Sequence, residues 1–243
     1  MRIRAVLWDV DDTLFDYTGA DRLAALGHLA AEGLLDGYGT PEAALEHWRA
    51  VMEQAFARFL AGELDFLGHR RERARGVAGL DLADAEADEW FGRYVARYEA
   101  EWALFPDVLP VLDALADGYR HGVLSNSSTR NQDRKLRTLG VRDRFEVLVC
   151  AEDLRCAKPD PGAFAAACEA MGLPPEEVVY VGDQLVTDAQ GARAAGLTGV
   201  WLDRLGTGGT WTPRIGGLAE LPGLLGRLPA DRAAAQPGGQ WPV

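Results

Sequence analysis

Cysteine is scarce: Cys150, Cys156 and Cys168 are the only three in 243 residues, an odd number without CxxC spacing. That argues against a disulfide framework and against a zinc site, and leaves the three as reduced, mostly structural thiols. No apolar run is long enough to span a bilayer. Arg2 and Arg4 lead straight into a short apolar segment, so neither a signal peptide nor a membrane anchor is expected, and the expected location is cytoplasmic. Positive charge is also short, with 25 Lys and Arg against 37 Asp and Glu, a formal charge of -12 and a pI near 4.8. Such a field repels nucleic-acid backbones and anionic membrane surfaces, so neither is an expected partner. The oligomeric state, monomer or homodimer, is left open. No dinucleotide fingerprint exists either: GTGGT at Gly206 to Thr210 has the wrong spacing, and Thr212-Pro213 stands where a helix should open.

What the chain does have is a 48% hydrophobic composition, enough for one large or two modest domains, and one unusual stretch. In Ile3 to Leu14, IRAVLWDVDDTL, an apolar run ends on Asp9, Asp11 and Asp12. Ile3 to Trp8 reads as a buried strand, and ligands bind at the carboxyl ends of strands in open parallel sheets. A calcium loop of the EF-hand type is excluded, because Leu14 stands where Gly is needed and Ala20 where Glu is needed. A helix N-cap by Asp11 or Asp12 is the plain alternative. The chemical reading pairs the acids with a hard divalent cation. Asp9 attacks phosphorus to give an aspartyl-phosphate, and Asp11 protonates the leaving oxygen and later deprotonates water.

From about Asp16 to Glu101 the sequence turns Ala-, Leu-, Glu- and Arg-rich with helical periodicity. Thr40 offers an N-cap ahead of Pro41. Leu45, Trp48, Met52, Phe56 and Phe59 form one apolar face and are read as core. A helix over about Asp84 to Glu101 carries Trp90, Phe91, Tyr94 and Tyr98. HRRERAR, His69 to Arg75, is read first as a solvated helical face and second as a basic surface, Arg70, Arg71, Arg73 and Arg75, for an anionic substrate. After Pro106 strands and helices alternate, with strands ending near Ser125, Cys150, Asp183 and Leu202 and a polar helix from Ser128 to Leu139. This predicts an α/β fold, a Rossmann-like parallel sheet with helices on both faces and an inserted helical domain. The expected domains are 1–16 with 104–228 as core, 17–103 as the insertion, and 229–243 as a mobile tail with Trp241 as a docking point.

Polar residues then converge at strand ends and the loops beyond them. Thr13, Ser125, Asn126 and Lys158 are candidate phosphate ligands. The Asp9 carboxylate, the Asp11 carbonyl and Asp183 are candidate magnesium ligands, and Asp188 supports a bound water or Lys158. The order of these residues resembles the haloacid dehalogenase-like hydrolases: DVDDTL at Asp9 to Leu14, Ser125 after an apolar strand, Lys158-Pro159, and GDQLVTD at Gly182 to Asp188, within residues 1 to 203. The resemblance implies a magnesium-dependent phosphoaspartyl mechanism acting on a small phosphorylated metabolite, with the insertion as an α-helical cap. Dehalogenases of that family attack carbon, need no metal and lack an acid at the position of Asp11, so Asp11 favours phosphate ester hydrolysis. DDTLFD, Asp11 to Asp16, also resembles the subgroup containing dehalogenases and nucleotidases, and Asp12 replaces a usual glycine. Haloacid dehalogenation, phosphomutase activity and a non-catalytic binding role are the alternatives.

Overall fold

Ala5–Trp8 forms the first strand, β1, and every one of its residues is fully buried. In chain order the computed structural model then has helices α1 (Tyr17–Ala31), α2 (Pro41–Leu60), α3 (Phe66–Ala78), α4 (Asp84–Ala100) and α5 (Val108–Leu115), and strand β2 (Arg120–Ser125). There follow α6 (Thr129–Thr138), β3 (Val147–Cys150), α7 (Ala151–Leu154), α8 (Pro161–Met171), β4 (Val178–Gly182), α9 (Gly191–Ala194), β5 (Thr198–Leu202), β6 (Arg214–Ile215) and α10 (Leu221–Leu225). The structure describes residues 2–154 and 156–228; the expected tail and its Trp241 lie outside them.

The chain divides into two compact units, Met1–Phe15 with Leu104–Val243, and Asp16–Ala103. In the first, the strands form one parallel sheet of order β3-β2-β1-β4-β5-β6. An all-parallel sheet is covered on both faces, which is why β1 and β4 read as continuous apolar runs and not as alternating ones. From β1 the chain goes on to β2 on one side, and from β4 to β5 on the other. The carboxyl ends of β1 and β4 therefore flank the switch point where such sheets bind ligands. Leu7, Phe164, Met171 and Tyr180 lie in the core packed on this sheet, each large apolar side chain contributing about 1.5–3 kcal/mol of burial. The sixth strand, only Arg214–Ile215, was not anticipated; two residues after a cis Thr212-Pro213 bond carry too little periodicity to read.

The second unit packs α1 to α4 around Trp48, Trp90, Phe91 and Tyr94. Thr40 caps α2 as the sequence suggests, accepting from the Ala43 amide at 3.1 Å, and Asp65 caps α3. Phe56, read as core, is instead 50% exposed, because Ala55 takes the inward position at that turn. Of the four arginines in α3, Arg71 and Arg75 pair with Asp84, Arg71 also with Asp88, while Arg70 and Arg73 lie over the Phe91 ring. α1 is capped by Asp16, which accepts from the Gly19 amide at 2.9 Å, so the N-cap role proposed for Asp11 or Asp12 belongs to neither.

Candidate active site

Lys158 is the centre of the polar cluster in the first unit. Its ammonium, on a residue only 5% exposed, donates to Asp9 Oδ1 at 2.6 Å, Asp188 Oδ1 at 2.8 Å and the Tyr180 hydroxyl at 2.6 Å. Tyr180 in turn donates to the Leu124 carbonyl at 3.0 Å. The sequence reading missed Tyr180, since a Tyr inside the apolar run VVYVG looks like core and is also core. Asp188 reaches Lys158 through a wide helical turn of π geometry over Leu185–Gln190. Gly182 permits this approach: a Cβ there would lie 2.4 Å from the Asp188 carboxyl. The second Asp188 oxygen accepts from the Gln184 amide at 3.0 Å.

Asp9, Asp183 and Asp188 each bring one carboxylate oxygen within 4.8 Å of the others. Trp201 holds the Asp183 backbone by donating from its indole to the Asp183 carbonyl at 2.8 Å. Burial pushes the Asp9 carboxyl up to about 8; Lys158 pulls it down, while Asp188 and Asp11 push it further up. Burial likewise raises Asp183 to about 7, aided by Asp188 and Asp12. Burial opposes the charge on Lys158, yet Asp9 and Asp188 outweigh it and raise that group. These directions agree on one deficit: three carboxylates share a single ammonium, so the ammonium is held charged and the acids are short of positive charge. The donors are all hard oxygens, which suits a divalent cation of the magnesium or calcium class.

The loop after β1 turns back on itself, with the Leu14 and Phe15 amides both donating to the Val10 carbonyl at 2.9 Å. Asp12 sits at φ 57, the left-handed region that glycine favours and that Asp tolerates better than most residues. Asp11 is not one of the three clustered acids. Its carboxylate accepts from the Lys135 ammonium and, at 2.9 Å, from Gln132 Nε2; the same Nε2 donates to Ser125 Oγ at 3.1 Å. Both α6 residues were missed. Their signal was the spacing Gln132, Lys135, Leu136, which puts two polar groups on the face that also carries the buried leucine.

The remaining candidates separate. Asn126, expected at the phosphate, braces Lys158: its Oδ1 accepts from the Lys158 amide at 2.7 Å and its Nδ2 donates to the Lys158 carbonyl at 2.8 Å. Thr13, also expected at the phosphate, has a fully buried hydroxyl with no hydrogen-bond partner among the described residues. Its carbonyl accepts from Arg204 at 2.9 Å, and Arg204 is paired with Asp107. Ser125 lies at the end of β2, 2% exposed.

The family profile of the haloacid dehalogenase-like hydrolases matches residues 3–196. Among known proteins, a glyceraldehyde 3-phosphate phosphatase of Methanopyrus kandleri is 31% identical over 83% of this chain and 84% of its own length. A phosphoserine phosphatase of Thermus thermophilus is 34% identical over 74% of this chain and 66% of its own. Among solved structures, magnesium-bound YfnB of Bacillus subtilis superposes with a TM-score of 0.74 over 93% of this chain and all of its own, at 21% identity, a likeness of fold. With the four spaced motifs, the parallel sheet and a profile match over most of its length, this chain belongs to the haloacid dehalogenase-like hydrolases.

Proposed function

We propose that the protein is a magnesium-dependent phosphatase that hydrolyses a small phosphate monoester through an aspartyl-phosphate on Asp9. The observation that carries this reading is the pairing of Asp9 with a buried Lys158 beside two further acids, Asp183 and Asp188. Oδ1 of Asp9 is held by Lys158, while Oδ2 has no hydrogen bond among the described residues and is the oxygen assigned to attack phosphorus. As the P–O ester bond breaks, Asp11 gives its proton to the departing oxygen. In the second half-reaction Asp11 takes a proton from water, the water oxygen bonds to phosphorus, and Asp9 and inorganic phosphate separate. Ser125 and Lys158 are assigned to the phosphoryl oxygens, where fixed donors act on charge that develops in the transition state. Asp9 and Asp183, with the Asp11 carbonyl, would hold the cation, whose charge would offset that of the nucleophile and the phosphoryl group. The phosphatase names of the two relatives support the reaction class, and the helical unit is read as the family's cap.

The test is phosphate release from a panel of sugar phosphates, phosphoserine, phosphoglycolate and nucleoside monophosphates, with magnesium or with EDTA. Magnesium-dependent release that Asp9→Asn abolishes is expected. Halide release from a 2-haloacid in EDTA, with no phosphate release from any ester, would replace this function with dehalogenation.

A further inference from the structure

Two polar side chains on α6 are buried. Gln132 is fully buried, and Lys135 is 7% exposed although lysine is rarely buried unless paired. Both are directed at one acceptor, the Asp11 carboxylate, 121 and 124 residues away in sequence. Lys135 takes Oδ1, and its ammonium lies 4.2 Å from the centre of the Phe15 ring, which walls it on another side. Gln132 takes Oδ2. The amide orientation follows from its partner: a carboxylate accepts only, so the NH2 end faces it, and the Gln132 carbonyl oxygen is left buried without a partner among the described residues. An unsatisfied buried carbonyl is destabilising. The Asp11 side chain is nevertheless about a third exposed, so the clamp grips one side and leaves the other open.

The second hydrogen of the same NH2 goes to Ser125 Oγ. An oxygen that accepts from Gln132 has its own O–H directed elsewhere, and Ser125 has that proton available for a phosphoryl oxygen. One side chain therefore links the acid–base carboxylate to the phosphate-binding hydroxyl.

We propose that Gln132 and Lys135 are positioning residues of the phosphatase, a two-point clamp that fixes the Asp11 carboxylate for both of its proton transfers. The proposal rests on the function argued above and adds to it the device that keeps Asp11 in place. Proton transfer demands that the acid or base lie within hydrogen-bond reach of the reacting oxygen, and an Asp free to change rotamer is there only part of the time.

Stopped-flow kinetics with p-nitrophenyl phosphate and magnesium separate this from a structural role. Nitrophenolate leaves without help from an acid, so loss of the clamp spares phosphorylation of Asp9, while attack by water still needs Asp11 as base. Gln132→Met, similar in length but without a donor, is expected to give a burst of nitrophenolate approaching one per active site. A steady state at least about tenfold slower than wild type then follows. Lys135→Met is expected to do the same, with Lys135→Arg restoring part of the rate. Both half-reactions use Ser125, so damage to that residue alone slows them together and yields no burst. A variant whose first turnover and steady state slow in equal proportion, or that behaves as wild type, overturns the clamp. If wild-type protein shows no magnesium-dependent release of nitrophenolate, the phosphatase reading fails and the clamp with it; normal wild-type turnover with an unaltered Gln132→Met variant overturns the clamp alone.

Discussion

Replacing Lys158 with Met removes a charge and leaves most of the side-chain volume in place. The ammonium holds Asp9 at 2.6 Å and Asp188 at 2.8 Å in a pocket where all three side chains are at most 10% exposed. Without it two carboxylates face each other with the Tyr180 hydroxyl, which loses a donor at 2.6 Å. Breaking a buried ion pair by deleting one partner destabilises by about 3–5 kcal/mol. At roughly 2–4 °C per kcal/mol for a unit of this size, the core unit should melt roughly 6–20 °C lower in EDTA. The loss has a definite pH dependence. The Asp9 carboxyl is already pushed up to about 8 by burial, and removing Lys158 pushes it higher. In the variant Asp9 is therefore neutral near pH 5, where the penalty is smallest, and the penalty grows as pH rises toward 9. Magnesium should shrink it at high pH by supplying counter-charge to Asp9 and Asp183. The assay is thermal unfolding by circular dichroism of wild type and Lys158→Met at pH 5, 7 and 9, each with EDTA or magnesium. A difference below about 2 °C at pH 9 in EDTA would show that Lys158 is not the charge that holds the acids together.

Two further outcomes follow from buried titrating groups. His28 and His69 in the helical unit are both lowered to about 4, chiefly by burial. Their folded values lie below the unfolded 6.5, so the unfolded chain takes up protons first, and each removes about 3 kcal/mol of stability as pH falls from 6.5 through 4. His28→Phe, packed by Trp48, Trp90 and Tyr94, should reduce this acid sensitivity, and equal loss in wild type and variant would contradict it. Asp9 and Asp183, raised to about 8 and 7 by burial, must give up protons to bind a cation. Magnesium affinity should therefore rise from pH 6 to 9 with proton release, measured by calorimetry in buffers of different ionisation enthalpy; a pH-independent affinity would refute it.

Much of the core of the site was legible because its residue types are expensive to place by accident. An acid at the end of an apolar strand, as at Asp9 and Asp183, and a lysine before a proline, as at Lys158, announce themselves against apolar or loop backgrounds. Less legible were residues whose types fit a duller role. Tyr180 is core on its ring and polar only at its tip, so an apolar strand hides it. Gln132 and Lys135 lie in a helix whose composition says solvent, and their burial depends on a carboxylate more than 120 residues away. Asn126 was expected at the phosphate and turns to the Lys158 backbone, a choice made by tertiary geometry. Phe56 fits the helical period of its neighbours yet faces outward, because α2 carries Ala55 on its packed side.

The central claim is that Asp9 is the nucleophile. Enzyme mixed with p-nitrophenyl phosphate and magnesium, quenched in acid within the first turnover and digested, should yield the peptide containing Asp9 heavier by one phosphoryl group, and Asp9→Asn should yield none. Turnover with full phosphate release but no phosphorylated Asp9 peptide, in wild type or in a variant slowed at the second step, would contradict the account.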